Sequence, residues 1–386
     1  MKICSKCVTP ETAESLIFDE NNTCSACKQI SFKNEKVDWA DRKVQFENLI
    51  AKHKNKFDYD CVVPFSGGKD STFALWYIVK IKNLKPLVVR FDHNFLRETV
   101  QKNTEKTITK LGVDFLNFKP NFNIVKKMMF ESLFRRGDFC WHCHVGVNAF
   151  PIRIAIEKNI PLLIYGEPSA EYGSFYNYNN LEFQDVERFN KTGNLGINAE
   201  DMIGMIKQRY PNEKIDERDF KPFIYPSQKE LNEKNIVGTY LGNYIPWDVK
   251  EQVKIIKKEL NWEGDEVEGI PEEYDYEKIE CYMQGVRDYI KFIKRGFGRT
   301  SHLVSIDIRN NRMSREQGMK LVKEYDGKRP KSLDFFLSLV KMTEDEFYDT
   351  IFTHIVEPNQ KLEKDYLIKN TTNKVPKDFI NWEKKF

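Results

Sequence analysis

Asp60-Cys61-Val62-Val63-Pro64-Phe65-Ser66-Gly67-Gly68-Lys69-Asp70-Ser71 is the stretch whose reading decides the fold. Its first half is a short apolar run, as a buried strand requires, and Thr72 to Lys82 carries apolar residues at helical spacing. The same alternation repeats outward. Pro86-Leu87-Val88-Val89-Arg90-Phe91 reads as a second strand, and a helix over about 97–111 leads through Gly112 to Val113-Asp114-Phe115-Leu116. Ile152–Lys158 reads as a helix, and Pro161-Leu162-Leu163-Ile164-Tyr165 as another strand that stops at Gly166. Strands alternating with helices call for parallel crossovers, so the expected class is α/β with a doubly wound parallel sheet. Beyond about residue 250 the strand signal fades. Ser314-Arg315-Glu316-Gln317 and Thr343-Glu344-Asp345-Glu346 fit the capping box, with Gly327 as a stop, so the last third is expected to be mostly helical.

Composition bounds the function. The 386 residues exceed an ordinary domain of roughly 100–150, so two or three units are expected. With 40% hydrophobic and 31% charged residues, the chain excludes wholesale disorder, collagen-like structure and a membrane bundle. A net charge of +3 demotes nucleic-acid binding as the main role. The apolar run Ile160–Tyr165 is far too short to span a bilayer, and Met1-Lys2-Ile3-Cys4-Ser5-Lys6-Cys7 lacks the apolar core of a signal peptide. A cytoplasmic protein is expected, in which cysteines serve as thiolates or metal ligands rather than disulfides. No repeats or low-complexity tracts occur.

The loop carries the strongest chemical signal. Gly67 and Gly68 let the backbone turn sharply and approach an anion, and the helix start behind them offers unpaired N–H groups and a positive dipole end. Ser66 and Ser71 add hydroxyl donors and Lys69 a point charge. Asp70 makes sense beside phosphates if it holds Mg²⁺. The spacing differs from the common P-loop. It is instead the Ser-Gly-Gly-x-Asp-Ser signature of the ATP-pyrophosphatase (PP-loop) superfamily, and the resemblance implies cleavage of ATP between its α- and β-phosphates. In that superfamily Asp92, in Phe91-Asp92-His93 at the second strand's end, would contact adenosine; an ordinary turn is the alternative. Gly166-Glu167-Pro168 closes a strand at its carboxyl end, where ligands bind in open parallel sheets. Glu167 there could touch magnesium or substrate, or be a solvated carboxylate.

Six of the eight cysteines fall in Cys-x-x-Cys pairs. Cys4/Cys7 and Cys24/Cys27, separated by sixteen residues, have the spacing of a closed four-thiolate Zn²⁺ site, which would fold a segment too small to fold unaided. Cys140-Trp141-His142-Cys143-His144 is dense in ligands. It reads as a second zinc site, as part of an iron–sulfur site with Cys281, as an active-site lining, or as a helix start with buried cysteines. Cys61 and Cys281 stand alone.

Downstream, Leu241-Gly242-Asn243-Tyr244-Ile245-Pro246-Trp247-Asp248 reads mainly as core packing. Lys294-Arg295-Gly296-Phe297-Gly298-Arg299-Thr300-Ser301-His302 places cations beside glycines, which suits a loop approaching a carboxylate or phosphate; Arg295, Arg299 and His302 are the substrate candidates. Asp307-Ile308-Arg309 is a candidate internal ion pair, and Trp382–Phe386 a solvated end.

Together these pieces resemble the N-acetyl sugar amidotransferases, a PP-loop family that makes acetamidino sugars for bacterial surface glycans. The resemblance rests on Cys4/Cys7, Ile17-Phe18-Asp19-Glu20, the Ser66–Ser71 loop and Cys140–His144. It continues through Tyr244–Asp248, Gly296-Phe297-Gly298-Arg299 and Ser305-Ile306-Asp307-Ile308-Arg309. The expected organisation is a zinc ribbon over 1–32, a connector helix over 33–56, a PP-loop ATP-pyrophosphatase domain over 57–250 and a mostly helical region over 251–386. The resemblance implies ATP, Mg²⁺ and Zn²⁺, with Lys69 and Asp70 catalytic. Enzymes for pseudaminic, legionaminic and diacetamido-uronic acids share these motifs, so the sugar is left open. Amide resonance makes the acetamido oxygen a poor leaving group. The implied route is adenylation to an O-adenylyl imidate, then displacement of AMP by ammonia. Position 2 is Lys2 and Cys281 lacks a glycine-flanked elbow, so ammonia is expected from a separate glutaminase, similar to that of the imidazole glycerol phosphate synthase pair. A PP-loop tRNA thiolase using Cys140, Cys143 and Cys281 is the rival; it would bind tRNA with steep salt dependence, whereas an inactive nucleotide sensor would have no use for Asp70.

Overall fold

The computed structural model describes residues 1–172, 175–372, 376 and 379; the end segment 382–386 lies outside them. Helices α1 (Ser25–Glu35) and α2 (Trp39–Ala51) lead into strand β1 (Cys61–Pro64), followed by α3 (Lys69–Trp76), β2 (Pro86–Phe91), α4 (Glu98–Leu111) and β3 (Asp114–Phe118). Then come α5 (Phe122–Arg136), α6 (Trp141–Glu157), β4 (Leu162–Tyr165), the single turn α7 (Val186–Arg188), α8 (Ala199–Arg209), α9 (Gln228–Glu233) and β5 (Val237–Tyr240). The five strands are all parallel in the order β3-β2-β1-β4-β5. The expected α/β class with a doubly wound parallel sheet is therefore what forms.

Burial on both faces explains the uninterrupted apolar strands. In β1, Cys61 and Val63 enter one core with Phe73, Val253 and Ile256, while Val62 enters the other with Trp141, Ala149 and Ile152. Leu87, Val89 and Leu163 join Val62, and Val88, Leu162 and Ile164 join Val63, as the period-two geometry of a strand dictates. Strand order reverses between β1 and β4, so the crevice at their carboxyl ends is the topological switch point.

The helical remainder comprises α10 (Val249–Leu260), α11 (Gln284–Arg295), α12 (Arg299–Arg309), α13 (Arg315–Tyr325), α14 (Ser332–Val340), α15 (Glu344–Phe352) and α16 (Lys364–Lys369). Both capping boxes form, at Ser314/Gln317 and Thr343/Glu346. Several expectations need adjustment. The helix after the loop runs as α-helix only to Trp76 and finishes in a π-helical turn, Tyr77–Ile81. The helix expected over 152–158 begins at Trp141 and runs through Pro151. The segment read as one connector helix holds the end of α1 and all of α2, the latter capped by Asp38, which accepts from the Ala40 and Asp41 N–H groups. Asp307 and Arg309 do not pair: Asp307 binds Lys250 at 2.6 Å and Tyr274, whereas Arg309 donates to Thr9. No helix among the described residues is long and apolar enough to cross a membrane.

Candidate active site

The loop between β1 and α3 is held by its own serines. Ser71 Oγ accepts from the Ser66 and Gly67 N–H groups at 3.1 and 3.3 Å, and Ser66 Oγ accepts from Gly68 N–H at 3.2 Å. Gly67 takes φ +86°, a conformation that glycine reaches without strain. Gly68 caps α3 with no side chain of its own, so the first-turn N–H groups face outward. A Cβ on Gly68 would stand 1.8 Å from Glu280 Oε1, so glycine here leaves a cradle that a carboxylate enters, with Ser66 Oγ donating to it at 3.3 Å. An anion thus already sits where the sequence places a phosphate.

Four carboxylates surround Lys69. Its Nζ lies 2.8 Å from both Asp70 Oδ2 and Glu277 Oε2, and Glu167 and Glu280 add to the field. Burial alone would drive the lysine toward neutrality, yet these charges hold its pKa well above the ordinary range. Burial would likewise raise Glu277, but Lys69, Lys278 and Arg299 pull its carboxyl below the usual range. At the end of β4, Gly166 packs on the Asp70 carbonyl, and Glu167 is pushed up by burial and by Asp70. Asp92 follows β2 and accepts from Asn94 N–H at 2.8 Å, as a turn-forming residue does.

Beside the loop lies a cavity of about 400 Å³, lined by Glu277 and by residues of α11 and α12. Arg295, Arg299 and His302, the substrate candidates named from sequence, all line it. Both arginines are already engaged, however. Arg295 donates to Thr12 O and pairs with Glu14 at 2.6 Å, while Arg299 pairs with Asp288 at 3.0 Å and with Glu277 at 3.4 Å. His302 stacks on Tyr172 with ring centres 4.8 Å apart, and burial followed by Arg299 holds it neutral, well below its ordinary pKa. Among the described residues, the lining cations Lys278, Arg287 and Lys291 have no carboxylate in ion-pair reach. Lys294 and Arg309 also lack one, but Lys294 donates to the Arg136 and Gly137 carbonyls and Arg309 to Thr9. Arg287 meets His144 Nε2 at 2.8 Å. Burial and Arg299 bring Lys291 down to about 7. Sequence reading missed Lys278, Arg287 and Lys291, as well as Glu277, Glu280 and Asp288, because none belongs to a local motif.

The N-terminal cysteines converge. Cys4 Sγ stands 3.8 Å from Cys27 Sγ and Cys7 Sγ 3.7 Å from Cys24 Sγ, all buried, with all four sulfurs within 4.8 Å of one another. Four thiolates on zinc at about 2.3 Å stand about 3.8 Å apart, so the donor set fits a metal such as zinc and the segment is compatible with a zinc ribbon. It docks on α12, where Thr9 Oγ1 lies 3.0 Å from Ser305 Oγ. Cys140 caps α6 and Cys143 lies in its first turn, but neither they nor Cys281 join a group of three such donors within that distance among the described residues. Burial pushes Cys143 up to about 11 and raises Cys140, Cys281 and Cys61 as well, so all four are held as thiols.

Residues 268–385 match the family described as LPS biosynthesis protein WbpG-like, C-terminal domain. The C-terminal part of the chain is thus similar to a lipopolysaccharide-biosynthesis domain. The chain is also similar to the uncharacterized protein MJ1599 of Methanocaldococcus jannaschii, at 25% identity over 143 residues that cover 36% of this chain and 50% of that protein. The chain therefore spans about half the length of this curated relative. Glu277, Glu280, Arg287, Lys291, Arg295, Arg299 and His302 all fall inside the matched residues, and Glu277 and Glu280 reach from there to Lys69 and Ser66 of the loop.

Proposed function

We propose that this chain is an ATP-dependent amidotransferase of the PP-loop kind that converts an acetamido group of a bacterial surface-glycan sugar to acetamidino. The observation that carries the reading is the junction itself. The loop at the sheet's switch point, whose glycine cradle receives Glu280, meets through the Lys69–Glu277 pair a cavity whose wall lies partly in a region similar to a lipopolysaccharide-biosynthesis domain.

ATP is the co-substrate. The sugar's acetamido oxygen bonds to the α-phosphorus as the bond to pyrophosphate breaks. Ammonia then adds to the imidate carbon, the carbon–oxygen bond to AMP breaks, and a proton leaves. Lys69 and the first-turn N–H groups of α3 meet the phosphate charge by fixed electrostatics, with no protein nucleophile. Asp70 and Glu167 fit a Mg²⁺ site: Asp70 Oδ1 is buried without a hydrogen-bond partner, and the crowding of the two carboxylates is what a dication relieves. Bound there, the ion supplies neutralisation of phosphate charge.

Ammonia comes from a separate glutaminase in this reading. Four of the eight cysteines form the N-terminal cluster, and in the other four, Cys61 buried and Cys140, Cys143 and Cys281 half-buried, desolvation raises the thiol pKa, the opposite of what activates a nucleophile toward glutamine. The same desolvation gives no support to sulfur relay, and no observation favours the tRNA thiolase. The decisive experiment combines the protein with ATP, Mg²⁺, ammonium and a panel of diacetamido sugars, following nucleotides and sugar by mass spectrometry. AMP, pyrophosphate and the small mass loss of O replaced by NH are expected. ADP and orthophosphate, or an unchanged sugar, would refute the proposal.

A further inference from the structure

Glu277 stands between two parts of the site. Its Oε2 lies 2.8 Å from Lys69 Nζ in the loop, and its Oε1 lies 3.4 Å from Arg299 Nη1 at the start of α12. Lys69 also holds Asp70 at 2.8 Å and Arg299 holds Asp288 at 3.0 Å. An unbroken run of alternating charge, Asp70–Lys69–Glu277–Arg299–Asp288, therefore passes from the loop to the cavity wall. The side chains of Lys69 and Glu277 are only 4% and 6% exposed.

The chemistry of the run explains what Glu277 does. A lysine ammonium is a point charge on a flexible stem, and one partner does little to aim it. Asp70 is the next residue in the chain, so on its own it would draw the ammonium back along α3. Glu277 approaches from a segment distant in the chain, and the two carboxylates together hold Nζ at 2.8 Å each. Ion pairs this dry are costly to break on one side, so the position is sharply set.

We propose that Glu277 is a positioning residue of the nucleotide site: its two oxygens hold Lys69 and Arg299 in one geometry, so the group facing phosphate and the group lining the second-substrate cavity are aligned by a single carboxylate. The inference rests on the reading of the loop as a nucleotide site given above.

A double-mutant cycle on the full chain tests it, using Glu277→Gln and Lys69→Met separately and together. Mg·ATP affinity is read by calorimetry, and AMP formation with ammonium and diacetamido sugars is followed in parallel. A residue that acts through Lys69 changes affinity or kcat by about tenfold or more when Lys69 is present, and by less than about twofold in the Lys69→Met background. Glu277→Asp, which keeps the charge, recovers part of the loss, and it carries the cycle if Glu277→Gln does not fold. Equal changes in both backgrounds, or no change in either, overturn the proposal. Wild-type protein that binds Mg·ATP but forms no AMP overturns the amidotransferase reading while the cycle is still decided on affinity. Protein that binds no Mg·ATP overturns both.

Discussion

Lys69 and Asp70 are legible as a pair because their chemistry is local: the glycines, the helix start and the two charges lie within six consecutive residues. Glu277 is not, since nothing in Tyr276-Glu277-Lys278 marks it and its role exists only through contact with a loop distant in the chain. Lys69→Met and Asp70→Asn should each lower AMP formation by about 10²–10³, the usual loss when a charge-stabilising group is removed. Melting temperature and AMP yield measured together check this, because a fall in both would mark a folding defect. His93 supports a different prediction. Burial holds it down to about 4, and its Nδ1 accepts from Phe95 N–H at 3.2 Å, which a protonated ring nitrogen does not do. Between about pH 4 and 6.5 the unfolded chain therefore binds a proton that the folded chain refuses. Stability should fall as pH drops through this window, by about 1.4 kcal/mol per pH unit from this group. Denaturant titrations of His93→Asn, which keeps an acceptor but cannot titrate, should show a shallower slope.

Elements are legible where their signals are short-range. Both capping boxes form because their hydrogen bonds close within one turn. Strand β5 escapes a sequence reading because Val237-Gly238-Thr239-Tyr240 is four residues long with a glycine inside, and it becomes a strand by pairing with β4. The zinc ribbon reading rests on spacing alone, and the sulfur geometry agrees with it. The N-terminal segment is also tied to the helical region. Arg309 of α12 and Arg315 of α13 reach Thr9 Oγ1 and the Cys7 carbonyl, while Arg295 holds the Thr12 carbonyl. Chelation, or Cys24→Ser, should release about one zinc per chain and expose the amides of residues 1–32. Hydrogen exchange measured by mass spectrometry should show the loss of protection spreading to α12. Protection unchanged after metal removal would mean the segment folds without it.

At the level of the whole molecule, the site is a joint product of the sheet and the C-terminal helices. Arg295 and Arg299 read from sequence as anion binders, yet their charges are largely met by Glu14, Asp288 and Glu277, whereas among the described residues Lys278, Arg287 and Lys291 line the cavity with no carboxylate in ion-pair reach. Charge compensation is a property of the assembled cavity and has no sequence signature. The desolvated thiols of Cys61, Cys140, Cys143 and Cys281, all raised above the ordinary range, lead to a prediction at this scale. The isolated chain should make product with ammonium and none with glutamine at comparable rate, measured as AMP formed in parallel reactions. Comparable turnover on glutamine would place the glutaminase within this chain.

Features that depend on neighbours in the chain could be read without coordinates. They are the alternation of strands and helices, the glycine turn before a helix N-terminus, the paired cysteine knuckles and the helix caps. Packing settled which distant groups meet: a carboxylate in the Gly68 cradle, Glu277 between Lys69 and Arg299, and the basic side chains Lys278, Arg287 and Lys291 on one cavity wall. The physical reason is range. Backbone conformation and capping are fixed over a few residues, whereas burial and Coulomb interaction act between whatever the packed fold brings within a few ångströms.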